Sequence, residues 1–202
     1  MSGPVNSPLS ADARVWAAFH EAGHAVRAAM WGYPIVSVSL DPIQGPADPE
    51  LGRQIDGAVH VGHPLAESGP NELMAEICIA SAGEAAEAYA RSHGPVGEMW
   101  ILSDAEEAMV VRGARFDHRN VRKYFALLPL EYQSDWVTRA LIKHVDEWIE
   151  RPEVWRAVEG VAKALWIHRR LEGPLLDAVL LSHIFRALPP AALRIANKDG
   201  LK

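Results

Sequence analysis

Cysteine is almost missing from this 202-residue chain, where Cys78 stands alone. An internal disulfide is therefore excluded, and so is a zinc cage built from several thiolates. Cys78 lies among Met74, Ile77 and Ile79, which marks it as a small buried side chain rather than a reactive thiol. Any metal site must draw on imidazoles and carboxylates. Basic charge is also in short supply. Twenty Lys and Arg stand against 26 Asp and Glu, giving a net charge of −6 and a sequence pI near 5.8. That balance argues against nucleic acid as a partner, which would favour a basic face. No apolar run approaches the roughly 18–20 residues needed to span a membrane. Met1 to Ser10 is polar, contains Pro4 and Pro8, and lacks a charged segment leading into an apolar one. The expectation is a soluble, cytoplasmic protein with no membrane partner. There is no internal repeat. The length suits a single domain over 1–202, with a core of about 11–187 and flexible tails at 1–10 and 190–202.

What is present begins with a helix. Ser10 is a plausible N-cap for a helix running to about Trp31, and Gly32 and Pro34 end it. Val15, Phe19, Ala22, Val26 and Met30 recur every three or four residues along it. Ile35 to Leu40 is rich in β-branched residues, with Ser37 and Ser39 alternating against Val36, Val38 and Leu40, and reads as a strand. Asp41 to Asp56 holds three prolines and two glycines, so it should be a loop. Gly57 to Gly62 reads as a second short strand. A long helix is expected from Pro70 to about Arg91, closed by His93-Gly94-Pro95. Ser103 and Glu106 form a capping-box pattern that opens another helix, to about Phe116. From Glu131 onward the chain looks helical, with breaks near Pro152 and Gly173-Pro174. The expected fold is mainly α, a helical bundle with a small β-sheet or hairpin beside the first helix.

The first helix carries His20-Glu21-Ala22-Gly23-His24, an H-E-x-x-H motif. Two imidazoles four residues apart on a helix point the same way and can ligate one metal ion. A glutamate next to the first histidine lies beside that metal, placed to take a proton from a metal-activated water. A catalytic zinc commonly has three protein ligands, so one more is required. Ala25 to Met30 contains no histidine, which rules out the metzincin extension. A glutamate from a later helix or an aspartate remains open. Each ligating imidazole should donate its second N–H to a carboxylate or carbonyl. Glu87 is a candidate for such a partner, set against a solvated helix glutamate. Gly23 is expected to permit close helix approach beside the metal. His60 and His63 are read as exposed strand-end histidines rather than oxyanion donors or a second metal site. The run from Arg112 to Arg122, with Asp117 and His118 inside it, is read as a solvated face.

His20-Glu21-Ala22-Gly23-His24-Ala25-Val26 is similar to the HEAGHA signature of the FtsH-type ATP-dependent zinc metalloproteases. Further segments follow in that family's order. Val36 to Leu40 resembles the strand after the motif helix, and Gly57 to Val61 the next strand. Ala82-Gly83-Glu84-Ala85-Ala86-Glu87 is similar to the family's G-R-A-A-E segment. Ile101 to Ala108 resembles its G-A-S-N-D-L segment, and Ala164 to Leu175 its closing L-L-E-x-E-T-L region. The order and approximate spacing agree along most of residues 15–185. The resemblance implies a zinc cofactor held by His20, His24 and Asp104, with Glu21 as the general base. Glu106 and Glu107 are rival carboxylates for the place of Asp104.

The departures are specific. Glu84 stands where the family usually has arginine, Ser103-Asp104 is a reduced S-N-D, and the loop from Asp41 to Asp56 does not match. Neither an ATPase module nor membrane helices are expected. The expectation is a free-standing, ATP-independent zinc metalloendopeptidase acting on peptides or unfolded protein segments, with any ATPase partner a separate chain. The alternatives are a catalytically silent peptidase-like adaptor or regulator, and a zinc hydrolase of a non-peptide amide. Retention of Glu21 speaks for catalysis, because a purely structural metal does not need it.

Overall fold

A computed structural model describes residues 11–42, 56–61, 69–93 and 117–185 of the chain. It is a mainly helical bundle with a small antiparallel sheet against the motif helix. The elements run α1 (Ala11–Met30), β1 (Ile35–Pro42), β2 (Asp56–Val61), α2 (Pro70–His93), α3 (117–127), a 3-10 turn (Leu130–Tyr132), α4 (Asp135–Ile149), α5 (Pro152–His168), β3 (Arg170–Glu172), α6 (Gly173–Leu180) and a π turn (Leu181–Phe185). No described helix is long and apolar enough to cross a membrane. The expected helix from Ser103 to Phe116 and the two tails lie outside the described residues, as does most of the Asp41–Asp56 loop.

The motif helix is the centre of the bundle. From Glu21 to Ala29 every residue of α1 is buried, because α2, α5 and the sheet cover it on different sides. Ala22, Ala25, Ala28 and Ala29 supply the small side chains that such crowding requires. The helix stops in a Schellman arrangement. Gly32 takes φ 76°, Gly32 N–H donates to Ala29 O at 3.0 Å, and Tyr33 N–H donates to Ala28 O at 3.0 Å. The main core gathers α1, α2, α4, α5, β1, β3 and α6 around Val26, Trp148, Val158, Leu165 and Leu171. A smaller cluster of Leu73, Ile77 and Leu128, with Val121, Tyr124 and Phe125 against it, joins α2 to α3.

The sheet has the order β2-β1-β3, so β1 is central. Val38 pairs with Val59 of β2 and with Leu171 of β3, both antiparallel. β3 did not show in the sequence because three residues are too few for an alternation pattern. Its place is set by Leu171, fully buried, and by Arg169, whose φ of 61° turns the chain out of α5. The carbonyl of Arg169 accepts from Leu40 N–H at 2.8 Å, which ties that turn to β1. A register shift between Ile35 and Ser37 breaks the expected alternation. Val36 is 59% exposed while Val38 is buried, in keeping with that shift.

Candidate metal centre

The α1–α2 crossing positions the motif. At Gly23 a methyl group would lie 2.7 Å from Ala86 Cβ and closer still to Ala82 O. At Gly83 it would lie 2.6 Å from His24 Cε1 and 2.8 Å from His20 Nε2, and closer still to His24 Nε2. The two helices therefore meet glycine to helix, and the imidazoles of α1 rest on the bare backbone of α2 at Gly83. The close approach expected of Gly23 is present, and Gly83 is its counterpart on the facing helix.

His20 and His24 lie one turn apart, their rings edge-to-face with centroids 4.7 Å apart. Their Nε2 atoms are 3.1 Å from each other. Asp117, the first described residue of α3, brings Oδ2 to 2.8 Å from His20 Nε2 and 3.4 Å from His24 Nε2. The outer ring nitrogens are engaged. His24 Nδ1–H donates to the carbonyl of Ile79 at 2.7 Å, and His20 Nδ1–H donates to Glu87 Oε2 at 3.3 Å. Glu87 is thus buried against His20 rather than solvated. Once deprotonated at Nε2, imidazoles whose Nδ1–H groups are held in this way turn both Nε2 lone pairs inward. Two nitrogens and a carboxylate oxygen then converge, all within 4.8 Å of one another. That donor set fits zinc, which takes imidazole and carboxylate ligands in catalytic sites.

Asp117 departs from the sequence reading, in which it belonged to a solvated face. It is buried, while its neighbours His118 and Arg122 are exposed and His118 pairs with Glu84 at 2.8 Å. A signal for it was present. Asp117, Val121, Tyr124, Phe125 and Leu128 recur at helical spacing, so Asp117 shares the stripe that packs on α2. Asp104, Glu106, Glu107 and His63 lie outside the described residues, as does the side chain of His60.

The charges of the site are strongly coupled. Burial opposes charge on His20, but hydrogen bonds to Asp117 and Glu87 and the charges of Asp117 and Glu21 outweigh it, holding its pKa well above the ordinary 6.5. His24 shifts upward too; burial again opposes, and Asp117 outweighs it. Burial would also lift Asp117, yet the charge of His24 and hydrogen bonds from both histidines hold it well below the usual carboxylate range. Glu21 is 6% exposed, and burial pushes its pKa up to about 7 against the lowering charges of His24 and His20.

A pH response follows for the metal-free protein. Glu21 and both histidines bind protons more tightly folded than unfolded, so their contribution to stability falls as pH rises. For Glu21 the fall runs from 4.5 through about 7, and for the histidines it begins near 6.5 and continues upward. Asp117 acts the other way, its contribution being lost only as pH falls below 3.8. A zinc ion held there would compete with protons for the same imidazoles, so its affinity should climb as pH rises. Between about pH 5 and 8 the thermal midpoint without metal is expected to fall by several degrees, and the rise produced by zinc to grow. Thermal scans with and without zinc across that range check this; a zinc effect independent of pH would contradict it.

A scan against protein-family models finds no match for this chain, and a search of the curated proteins finds none either.

Proposed function

We propose that this chain is a zinc-dependent peptidase of the FtsH type that hydrolyses peptides or unfolded protein segments. The observation that carries the reading is the convergence of His20 Nε2, His24 Nε2 and Asp117 Oδ2 beside a buried glutamate. The order of the FtsH-like segments from His20 to Leu175 supports the family and the roles of His20, Glu21 and His24, while that resemblance puts the third ligand at Asp104.

His20, His24 and Asp117 would hold the ion. A zinc ion held there would supply Lewis acidity toward a scissile carbonyl and a water. Glu21 accepts the proton of the attacking water and returns it to the leaving amine. Burial raises the proton affinity of Glu21, so its carboxyl can carry a proton between water and amine. Bound cationic charge favours the ionised form, readying Glu21 as a base. Gly83 leaves the imidazole edges without a covering side chain from α2.

The substrate path is proposed along β2. Among the described residues β2 pairs with β1 alone, so its other edge carries no described strand. An extended peptide adding there would use main-chain hydrogen bonds and need little side-chain selectivity. That suits unfolded segments.

Zinc retention tests the ligand set. Asp117→Ala is expected to weaken zinc by more than the about 10–100-fold typical of losing an outer partner. Asp104→Ala is expected to leave it near wild type. Chelator competition, with metal content measured on the purified proteins, reads both. The opposite pattern would transfer the third ligand to Asp104. A wild type that takes up no zinc from metal-replete medium would overturn the reading.

A further inference from the structure

Glu87 has two carboxylate oxygens and two different tasks. Oε2 accepts from His20 Nδ1–H at 3.3 Å. Oε1 accepts from Arg91, whose Nε and Nη2 both reach it, at 3.1 and 2.5 Å. Arg91 lies one helical turn beyond Glu87 on α2, and its guanidinium carbon stands 5.0 Å over the ring of Trp16 on α1. Trp16 is 2% exposed, so this aromatic wall is fixed in the core. The guanidinium is thus pinned by a carboxylate on one side and a π face on the other.

An ordinary i,i+4 pair on a helix surface contributes only a few tenths of a kcal/mol. This one differs because its acid is buried. The Glu87 side chain is 9% exposed against 31% for Arg91. A buried carboxylate turned toward a histidine needs donors for its second oxygen and a partner to stop it rotating. Two guanidinium donors on one oxygen leave the other oxygen directed at His20.

We propose that Arg91 is a positioning residue for the metal centre, locking Glu87 so that His20 donates from Nδ1 and presents Nε2 to the metal. The inference rests on the zinc reading above. Arg91 touches neither the proposed ligands nor Glu21 through any described contact; its effect passes through Glu87.

Zinc affinity by chelator competition is the first readout. Arg91→Met is expected to weaken zinc about tenfold, in the range found for outer partners of metal-ligating histidines. Arg91→Lys should rescue it only in part, because an ammonium lacks the planar fork and stacks less well on tryptophan. Arg91→Met added to Glu87→Gln should weaken zinc no further than Glu87→Gln alone, since the path is already cut. The second readout needs no metal. Imidazole ¹H–¹⁵N spectra of the metal-free protein should show the His20 Nδ1 proton exchanging faster with water in Arg91→Met. Wild-type zinc affinity in Arg91→Met, or losses that add in the double variant, would overturn the proposal. If the wild type takes up no zinc the metal reading fails, and the metal-free spectra then decide the Arg91–Glu87–His20 link by themselves. Circular dichroism confirms that each variant is folded.

Discussion

Replacing Glu21 with glutamine is expected to lower kcat/KM on an unfolded protein substrate by about 10²–10⁴-fold, the usual contribution of a general acid–base group. Bound zinc should be unchanged, because Glu21 is not among the converging donors. Glutamine keeps the shape and removes only the ability to accept a proton. The same substitution carries a second signature of opposite sign. Burial makes charge on Glu21 costly, so the wild-type metal-free protein loses stability as pH rises through about 7. Glutamine has no such charge to lose or gain. Glu21→Gln should therefore be more stable than wild type at pH 8 and close to it at pH 5, as thermal unfolding in the absence of metal would read. A gain in stability with a loss of turnover is the expected mark of a site held in place against its own folding preference. Full activity in the variant would remove Glu21 from the mechanism and point to another base.

Two glycine substitutions should separate the fold from the site. A glycine-to-alanine change inside a helix ordinarily stabilises by about 1 kcal/mol. At both Gly23 and Gly83 the sign should reverse, for different reasons. The methyl group at Gly23 meets the backbone carbonyl of Ala82 and the Cβ of Ala86, neither of which can swing aside. The helices must separate, and overpacking of that kind costs about 1–3 kcal/mol. The methyl at Gly83 meets imidazole atoms of His24 and His20. Those rings can rotate, but only by turning Nε2 away from the shared point. Gly83→Ala is thus expected to lose zinc by about 100-fold or more, beyond an outer-partner effect, with a smaller stability loss than Gly23→Ala. Denaturant midpoints and chelator competition on the two variants make the comparison. Equal zinc affinity in Gly83→Ala and wild type would mean that the imidazoles do not act where the α1–α2 crossing puts them.

Much of this was legible in the residues. His20 and His24 share a helix face because 3.6 residues per turn puts i and i+4 on one side, whatever the rest of the chain does. The single cysteine restricted the donors to nitrogen and oxygen before any fold was considered. Gly32 with Pro34, and Pro152, set helix ends by local backbone chemistry; the start of α4, where Ser134 accepts from Val137 N–H, is placed only by the structure. Contacts between distant segments were not legible in that way. Asp117 reaches His20 across 97 residues, and whether it faces water or the histidines depends on how α3 seats on α2. β3 exists because Leu171 finds a buried place beside Val38, not because three residues favour a strand. Glu21, polar in any composition count, becomes a group with a pKa near 7 only when neighbouring elements exclude water from it. Backbone geometry acts within a turn or two of its own residue and can be read along a chain. Burial, convergence of donors and the resulting shifts in proton affinity come from elements that meet in space, so they enter only when the helices are packed.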